Sequence, residues 1–154
     1  MLNNSALSAS QREKINEINT ITDAIIAESI EIHKKLGPGL LESVYEMVLA
    51  KKLERRGYKV ERQKIISFEY EDIHFEEGFR VDLLIEDMVV VELKSVEKTS
   101  PVHQKQLLTY LKLLDKTVGL LINFGCVTLK EGLQRIVNKY PDSAFSAPLR
   151  EDRL

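Results

Sequence analysis

Apolar residues recur at helical spacing from about Thr22 to Leu36, where Ile25, Ile26, Ser29, Ile30 and His33 fall on one face. Gly37-Pro38-Gly39 breaks that period. A second helical stretch runs from about Leu41 to Arg56, and Gly57 is placed to cap it. The pattern then changes. Tyr58 to Tyr70 reads as one or two strands, and Glu69, Glu71 and Asp72 mark a turn. Two β-branched runs follow, Val81 to Ile85 and Val89 to Lys94. Ser100-Pro101 has the form of an N-cap followed by proline at the first helical position, and opens a helix to about Leu114. The run Val118 to Asn123 predicts a buried strand, Cys126 to Leu129 a further strand, and Glu131 to Val137 a short helix. Residues 1–17 and 139–154 are polar and read as tails around a single domain over residues 18–138.

Between the two β-branched runs lies Glu86-Asp87-Met88, a spacing that predicts a hairpin with a three-residue loop. Ile85 then pairs with Val89, and the register sets Asp82 opposite Glu92 and Arg80 opposite Lys94. Opposed residues share a face, with Cβ atoms roughly 4.5–5.5 Å apart. One face carries Val81, Leu83, Ile85, Val89, Val91 and Leu93. The other carries Arg80, Asp82, Leu84, Val90, Glu92 and Lys94. A two-residue loop would put the carboxylates on opposite faces. Facing carboxylates repel unless positive charge lies between them. A Mg²⁺ ion, which takes oxygen ligands and keeps waters and substrate phosphate oxygens, would meet that need beside Lys94. Such a set is equipped to hydrolyse a phosphodiester. Alternatively, Arg80 and Lys94 neutralise the pair on a solvated face, and this spacing alone does not decide between the two.

Composition narrows the field. A chain of 154 residues has room for one real core, and its apolar and charged fractions are those of an ordinary globular protein. The lone Cys126 has no intramolecular partner, fits a reducing, cytoplasmic setting and reads as a small buried apolar residue. No apolar run approaches the roughly 20 residues that span a membrane. The start, Met1-Leu2-Asn3-Asn4-Ser5, has neither the basic nor the apolar region of a signal peptide. A net charge of −2 does not advertise nucleic-acid binding, so attraction for phosphate must come from local patches.

Three features add candidate chemistry. On the second helix Leu41, Val44, Tyr45, Val48, Leu49 and Leu53 form an apolar arc, and Glu42 falls inside it. A carboxylate on a core-facing arc needs a partner or a metal, unless it is a first-turn residue favoured by the helix dipole. On the third helix His103, Gln106 and Tyr110 point into the arc of Val102, Leu107, Leu111, Leu113 and Leu114. A phosphate, a metal-bound water or a structural hydrogen-bond network would each satisfy them. Lys51, Lys52, Arg55, Arg56, Lys59, Arg62 and Lys64 crowd one segment. Arg55, Arg56 and Lys59 are candidates to hold a nucleic-acid backbone, and a solvated face with ion pairs is the plainer reading. The acidic stretch Glu69, Glu71, Asp72, Glu76 and Glu77 would repel phosphate, and no aromatic stacking platform is visible.

These residues resemble the PD-(D/E)xK nuclease superfamily, and within it the small GxxExxY family. The motif stands as Gly39-Leu40-Leu41-Glu42-Ser43-Val44-Tyr45. Similar segments follow at Gln63, Phe79 to Leu84, Val91-Glu92-Leu93-Lys94, His103 with Gln106 to Tyr110, and Leu121 to Gly125. Val81 stands where the superfamily name has proline. The resemblance implies an α/β (α+β) fold with a restriction-endonuclease-like αβββαβ core, a small mixed β-sheet flanked by helices. It also implies a Mg²⁺- or Mn²⁺-dependent nuclease acting on DNA more than RNA, with a module that binds nucleic acid or a protein without turnover as the alternative. Asp82, Glu92, the Leu93 carbonyl and Glu42 would then be metal ligands. Lys94 would orient water and stabilise phosphate charge, and Gln106 and Tyr110 would hold a phosphate or an outer water. Whether the chain works as a homodimer is left open.

Overall fold

The computed structural model describes residues 7–138. Helix α1 spans Ala9–Leu36, so it begins far ahead of Thr22. The Ser8 hydroxyl accepts the Gln11 N–H at 3.2 Å and the Gln11 side chain accepts the Ser8 N–H at 2.8 Å. This capping box starts a helix where polarity alone suggests a tail. Ile18 and Ile21 then join the core. Residues 1–6 and the expected tail at 139–154 lie outside the described residues.

Gly37 and Gly39, at φ 72° and 103°, end α1 in backbone that side-chain-bearing residues rarely adopt. Helix α2 covers Glu42–Arg55, β1 Val60–Tyr70 and β2 Ile73–Ile85. The β1–β2 turn has two left-handed residues, Glu71 and Asp72, as a type I′ turn requires. Strand β3 is Val89–Lys94 and α3 is Pro101–Leu114, the latter entered through Ser100 and Pro101 as expected. Strand β4 is Val118–Asn123.

The end of the chain departs from expectation. Cys126 to Leu129 is not a strand, and Glu131 to Val137 is not one helix. A single turn, α4 (Leu129–Gly132), leads into strand β5 (Leu133–Val137). Strand β5 pairs antiparallel with β4, from Ile122↔Leu133 to Val118↔Val137. The reason is tertiary. Every residue of β4 is buried, and its outer edge needs a partner for its backbone groups.

The five-stranded sheet has the order β1-β2-β3-β4-β5, with β3 and β4 parallel and the other pairs antiparallel. Helix α3 makes the crossover that a parallel pair demands. Helices α1 and α2 cover one face, where Ile18, Ile25, Tyr45, Leu49 and Leu53 pack with Leu83, Val91, Leu93 and Ile122. On the other face Leu107 and Leu111 of α3 pack on Val81, Leu84, Val90 and Leu121. The far half of the β1–β2 hairpin presents exposed Tyr70, Ile73 and Phe75.

Candidate active site

The β2–β3 hairpin has the expected three-residue loop and the rungs Ile85↔Val89, Leu84↔Val90 and Leu83↔Val91. Past that point side chains replace the ladder. The Asp82 N–H donates to Glu92 Oε1 at 3.2 Å, and the Leu93 N–H donates to Asp82 Oδ2 at 2.8 Å. Asp82 and Glu92 therefore meet where the register placed them. Arg80 and Lys94 do not form the next rung: Arg80 pairs with Ile65 of β1, and Lys94 with Asn123 of β4. The expected face assignment also fails at Val81, which joins Leu84 and Val90 under α3 while Leu83 joins the opposite core. Alternation breaks at Asp82. Across from it in β1, between the rungs Arg62↔Leu83 and Lys64↔Val81, Gln63 has φ 50°.

Glu92 is only 7% exposed. Burial first, and then the negative charge of Asp82, push its carboxyl up to about 8, against the pull of Lys94. Lys94 ends β3, half-buried, and enters none of the salt bridges among the described residues. The chain beyond it is clamped by Asn123. That buried amide accepts from the Val96 N–H at 3.1 Å and the Gly125 N–H at 3.0 Å, and donates to the Val96 carbonyl at 2.8 Å and to Cys126 Sγ at 3.3 Å. Gly125 lies so close to Val96 that a Cβ would collide with its backbone carbonyl. Gly125→Ala is therefore expected to cost about 1–3 kcal/mol in a denaturant melt and to loosen the segment that follows Lys94.

Helix α2 is turned away from the expected phase. Leu41 is the N-cap residue and 74% exposed, Val44 is exposed, and the buried face is Tyr45, Glu46, Leu49, Ala50 and Leu53. Glu42 thus stands exposed at the first turn, and the buried carboxylate is Glu46, at 5% exposure. Glu46 accepts from Gln63 Nε2 at 2.7 Å and Arg62 Nε at 3.3 Å, and Gln63 Nε2 also donates to Asp82 Oδ1 at 3.2 Å. The reading of the sequence missed Glu46; the signal was its place one residue after Tyr45, which is fully buried. The Tyr45 hydroxyl donates to the Gly37 carbonyl at 2.6 Å and accepts from the Leu40 N–H at 3.2 Å. It ties down the loop that leads to Glu42. Glu42, Glu46, Gln63, Arg80, Asp82 and Ser95 line a shared cleft of about 650 Å³.

On the other side of the sheet, Tyr110 stacks on Phe79 at 4.4 Å between centroids. Its hydroxyl is raised by burial and then by the charges of Glu92 and Asp82, against a lowering by the Gln106 side chain. Gln106 and Tyr110 are thus brought toward the acidic pair, though Gln106, like Val102 and Leu113, is exposed rather than core-facing. His103 has a structural part: its Nδ1 accepts the Ser100 N–H at 3.2 Å and caps α3. The basic segment is largely neutralised. Lys52 pairs with Glu28 and Glu31, Arg56 with Glu28, Arg62 with Glu46 and Lys64 with Glu61. Arg55, Arg56 and Lys59 lie toward the far end of α2, about 20 Å along the axis from Glu42 at 1.5 Å per residue. Arg56 lines a separate cavity of about 350 Å³ with Glu17, Thr20, Ile21, Tyr58 and Glu86. The structure does not bring these three to the cleft, and it brings Arg80 instead.

A mixed five-stranded sheet between helices, with an acidic pair where two central strands part, is the restriction-endonuclease-like architecture. The family model described as the PD-(D/E)XK nuclease superfamily matches residues 19–136, and the chain belongs to that superfamily. A search of the curated proteins and a search of the solved structures each found no match. Nucleases of this superfamily act on nucleic acid and usually use divalent metal ions. Among the described residues no helix is long and apolar enough to cross a membrane.

Proposed function

We propose that the chain is a nuclease of the GxxExxY type that hydrolyses phosphodiester bonds of nucleic acid, DNA in preference to RNA, with Mg²⁺ or Mn²⁺ at Asp82 and Glu92. The observation that carries this reading is the interlocked acidic pair itself. A buried and a half-buried carboxylate share one site, and burial, then the charge of Asp82, drive Glu92 up to about 8. The donors are all oxygen, which suits a hard cation. Two of these donors are the carboxylates of Asp82 and Glu92. That sparse set suits Mg²⁺, which is commonly held by one or two carboxylates, with waters and substrate oxygens completing its shell.

Asp82, Glu92 and the Leu93 carbonyl would hold the ion, and Glu42 at the cleft rim would reach it through water. A bound ion makes coordinated water easier to ionise and stabilises charge on the phosphoryl oxygens. Lys94, at the end of the same strand as Glu92, orients the attacking water and places an ammonium against developing phosphate charge. Tyr110 and Gln106 hold a phosphate oxygen or an outer water. Arg80 supplies a cation at the cleft for the substrate backbone, the role that Arg55, Arg56 and Lys59 are too distant to take. A cytoplasmic setting fits the lone Cys126.

The test is cleavage of end-labelled single- and double-stranded DNA and RNA by purified protein. Products are expected with Mg²⁺ or Mn²⁺ and none with EDTA. One observation favours a second reading. Both Asp82 oxygens and one of Glu92 already have donors within the protein, so the fold stands without an ion. Oligonucleotide binding that persists in EDTA, without cleavage under any ion, would establish a non-catalytic binding module, and a homodimer would show in sedimentation.

A further inference from the structure

Glu46 is a carboxylate in the packed face of α2, beside Tyr45 and Leu49. Burying a charge there is unfavourable unless it is paired and hydrogen-bonded. Its partners are Arg62 and the side-chain amide of Gln63. The same Gln63 nitrogen reaches Asp82 Oδ1 at 3.2 Å. One NH₂ group thus divides its two hydrogens between a buried carboxylate and the central acid of the cleft. Gln63 takes up this position from left-handed backbone, at φ 50°, which is uncommon for a residue with a side chain. Strain of this sort persists only where the surroundings impose it, and it collects at functional sites.

An amide offers donors at one end and an acceptor at the other, and rotation by half a turn exchanges them. Next to Asp82 the two orientations have opposite effects. The nitrogen stabilises the carboxylate; the carbonyl oxygen repels it. Glu46, an acceptor only, admits only the first. Leu93 N–H holds the other Asp82 oxygen at 2.8 Å, so the carboxylate is gripped from both sides.

We propose that Glu46 and Gln63 are positioning residues: Glu46 locks the Gln63 amide with its nitrogen toward Asp82, and the locked amide sets the Asp82 carboxylate for a divalent ion. This rests on the nuclease reading of the cleft. Hydrogen-bond partners behind a metal ligand commonly govern affinity by 10–100-fold. The lock acts through Gln63 alone, so its loss has no further effect once Gln63 is gone.

The experiment measures Mn²⁺ binding, by calorimetry or by the electron-spin signal of free Mn²⁺, for wild type, Glu46→Gln, Gln63→Leu and the double variant. Melting curves establish that each is folded. Wild type is expected to bind, both single variants to bind about tenfold more weakly, and the double variant to match Gln63→Leu. Should Glu46→Gln fail to fold, Gln63→Leu at its half-buried strand position still decides whether Asp82 needs that donor. Wild-type affinity in both single variants would overturn the positioning role and leave the nuclease reading intact. Additive losses in the double variant would overturn the lock, since Glu46 would then act by another route. No Mn²⁺ binding by folded wild type would overturn the nuclease reading and the inference with it.

Discussion

Asp82→Ala and Lys94→Ala are each expected to reduce ion-dependent cleavage on the order of 10³-fold, with the fold retained. The two losses arise differently. Asp82→Ala leaves the Leu93 N–H without its acceptor and removes one of the two carboxylates that an ion would share. It also removes the charge that helps to raise Glu92, so stability should change little even as the ion is lost. Lys94→Ala leaves both carboxylates in place, so Mn²⁺ binding should survive while turnover fails. Arg80→Ala should weaken substrate binding with kcat nearly unchanged, and Arg55→Ala, at the other end of α2, should alter neither binding nor kcat. Steady-state kinetics alongside Mn²⁺ titrations separate these patterns. The same trace of activity in wild type, Asp82→Ala and Lys94→Ala would identify a contaminating nuclease and remove the catalytic reading.

Much of this site was legible before any fold was known, because a hairpin couples local sequence to spatial pairing. Once Glu86-Asp87-Met88 is taken as the loop, Ile85 must meet Val89, and the period of two carries Asp82 to Glu92. Ser100-Pro101 and the apolar run from Val118 are likewise local signals, and both marked their elements correctly. What failed depended on partners distant in the chain. The phase of α2 was set by counting Leu41 into the helix. As the N-cap residue Leu41 points to solvent, and the turn carries Glu46 inward in place of Glu42. Val81 changed faces where alternation breaks at Asp82, opposite Gln63, whose left-handed backbone lies on another strand.

Strand β5 shows the same limit from the other direction. Seven residues from Glu131 to Val137 fit a helical period as well as an extended one, and the demand of β4 for a second partner decides. The basic run from Lys51 to Lys64 reads as a phosphate-binding patch only while Glu28, Glu31 and Glu46 are out of sight. Folding brings those carboxylates to it. The cation that lines the cleft is Arg80, on β2 two residues before Asp82, and Lys94 ends the neighbouring strand β3 two residues after Glu92.

Without divalent ions, the melting temperature is expected to fall as pH rises from about 5 to about 8, and Glu92→Gln should flatten that slope. The folded-state carboxyl of Glu92 stands at about 8 against an ordinary 4.5. Between those values the folded protein keeps a proton that the unfolded chain has released. Stability therefore decreases with pH across that window, and the loss is complete once pH passes the folded value. Below 4.5 both states are protonated and the group contributes no slope. The total is on the order of a few kcal/mol. Glu31 shifts in the opposite direction, lowered to about 2 by hydrogen bonds from Lys35 and Lys52. Its contribution is lost as pH falls from 4.5 to about 2, below this window. Glu92→Gln keeps an oxygen for the Asp82 N–H and removes the titration, so the difference between the two melting profiles isolates this group. A divalent ion must displace that proton, so its stabilising effect should grow with pH in wild type and be small in Glu92→Gln. Parallel profiles for the two proteins, with and without Mg²⁺, would show that Glu92 is neither strained by Asp82 nor available to an ion.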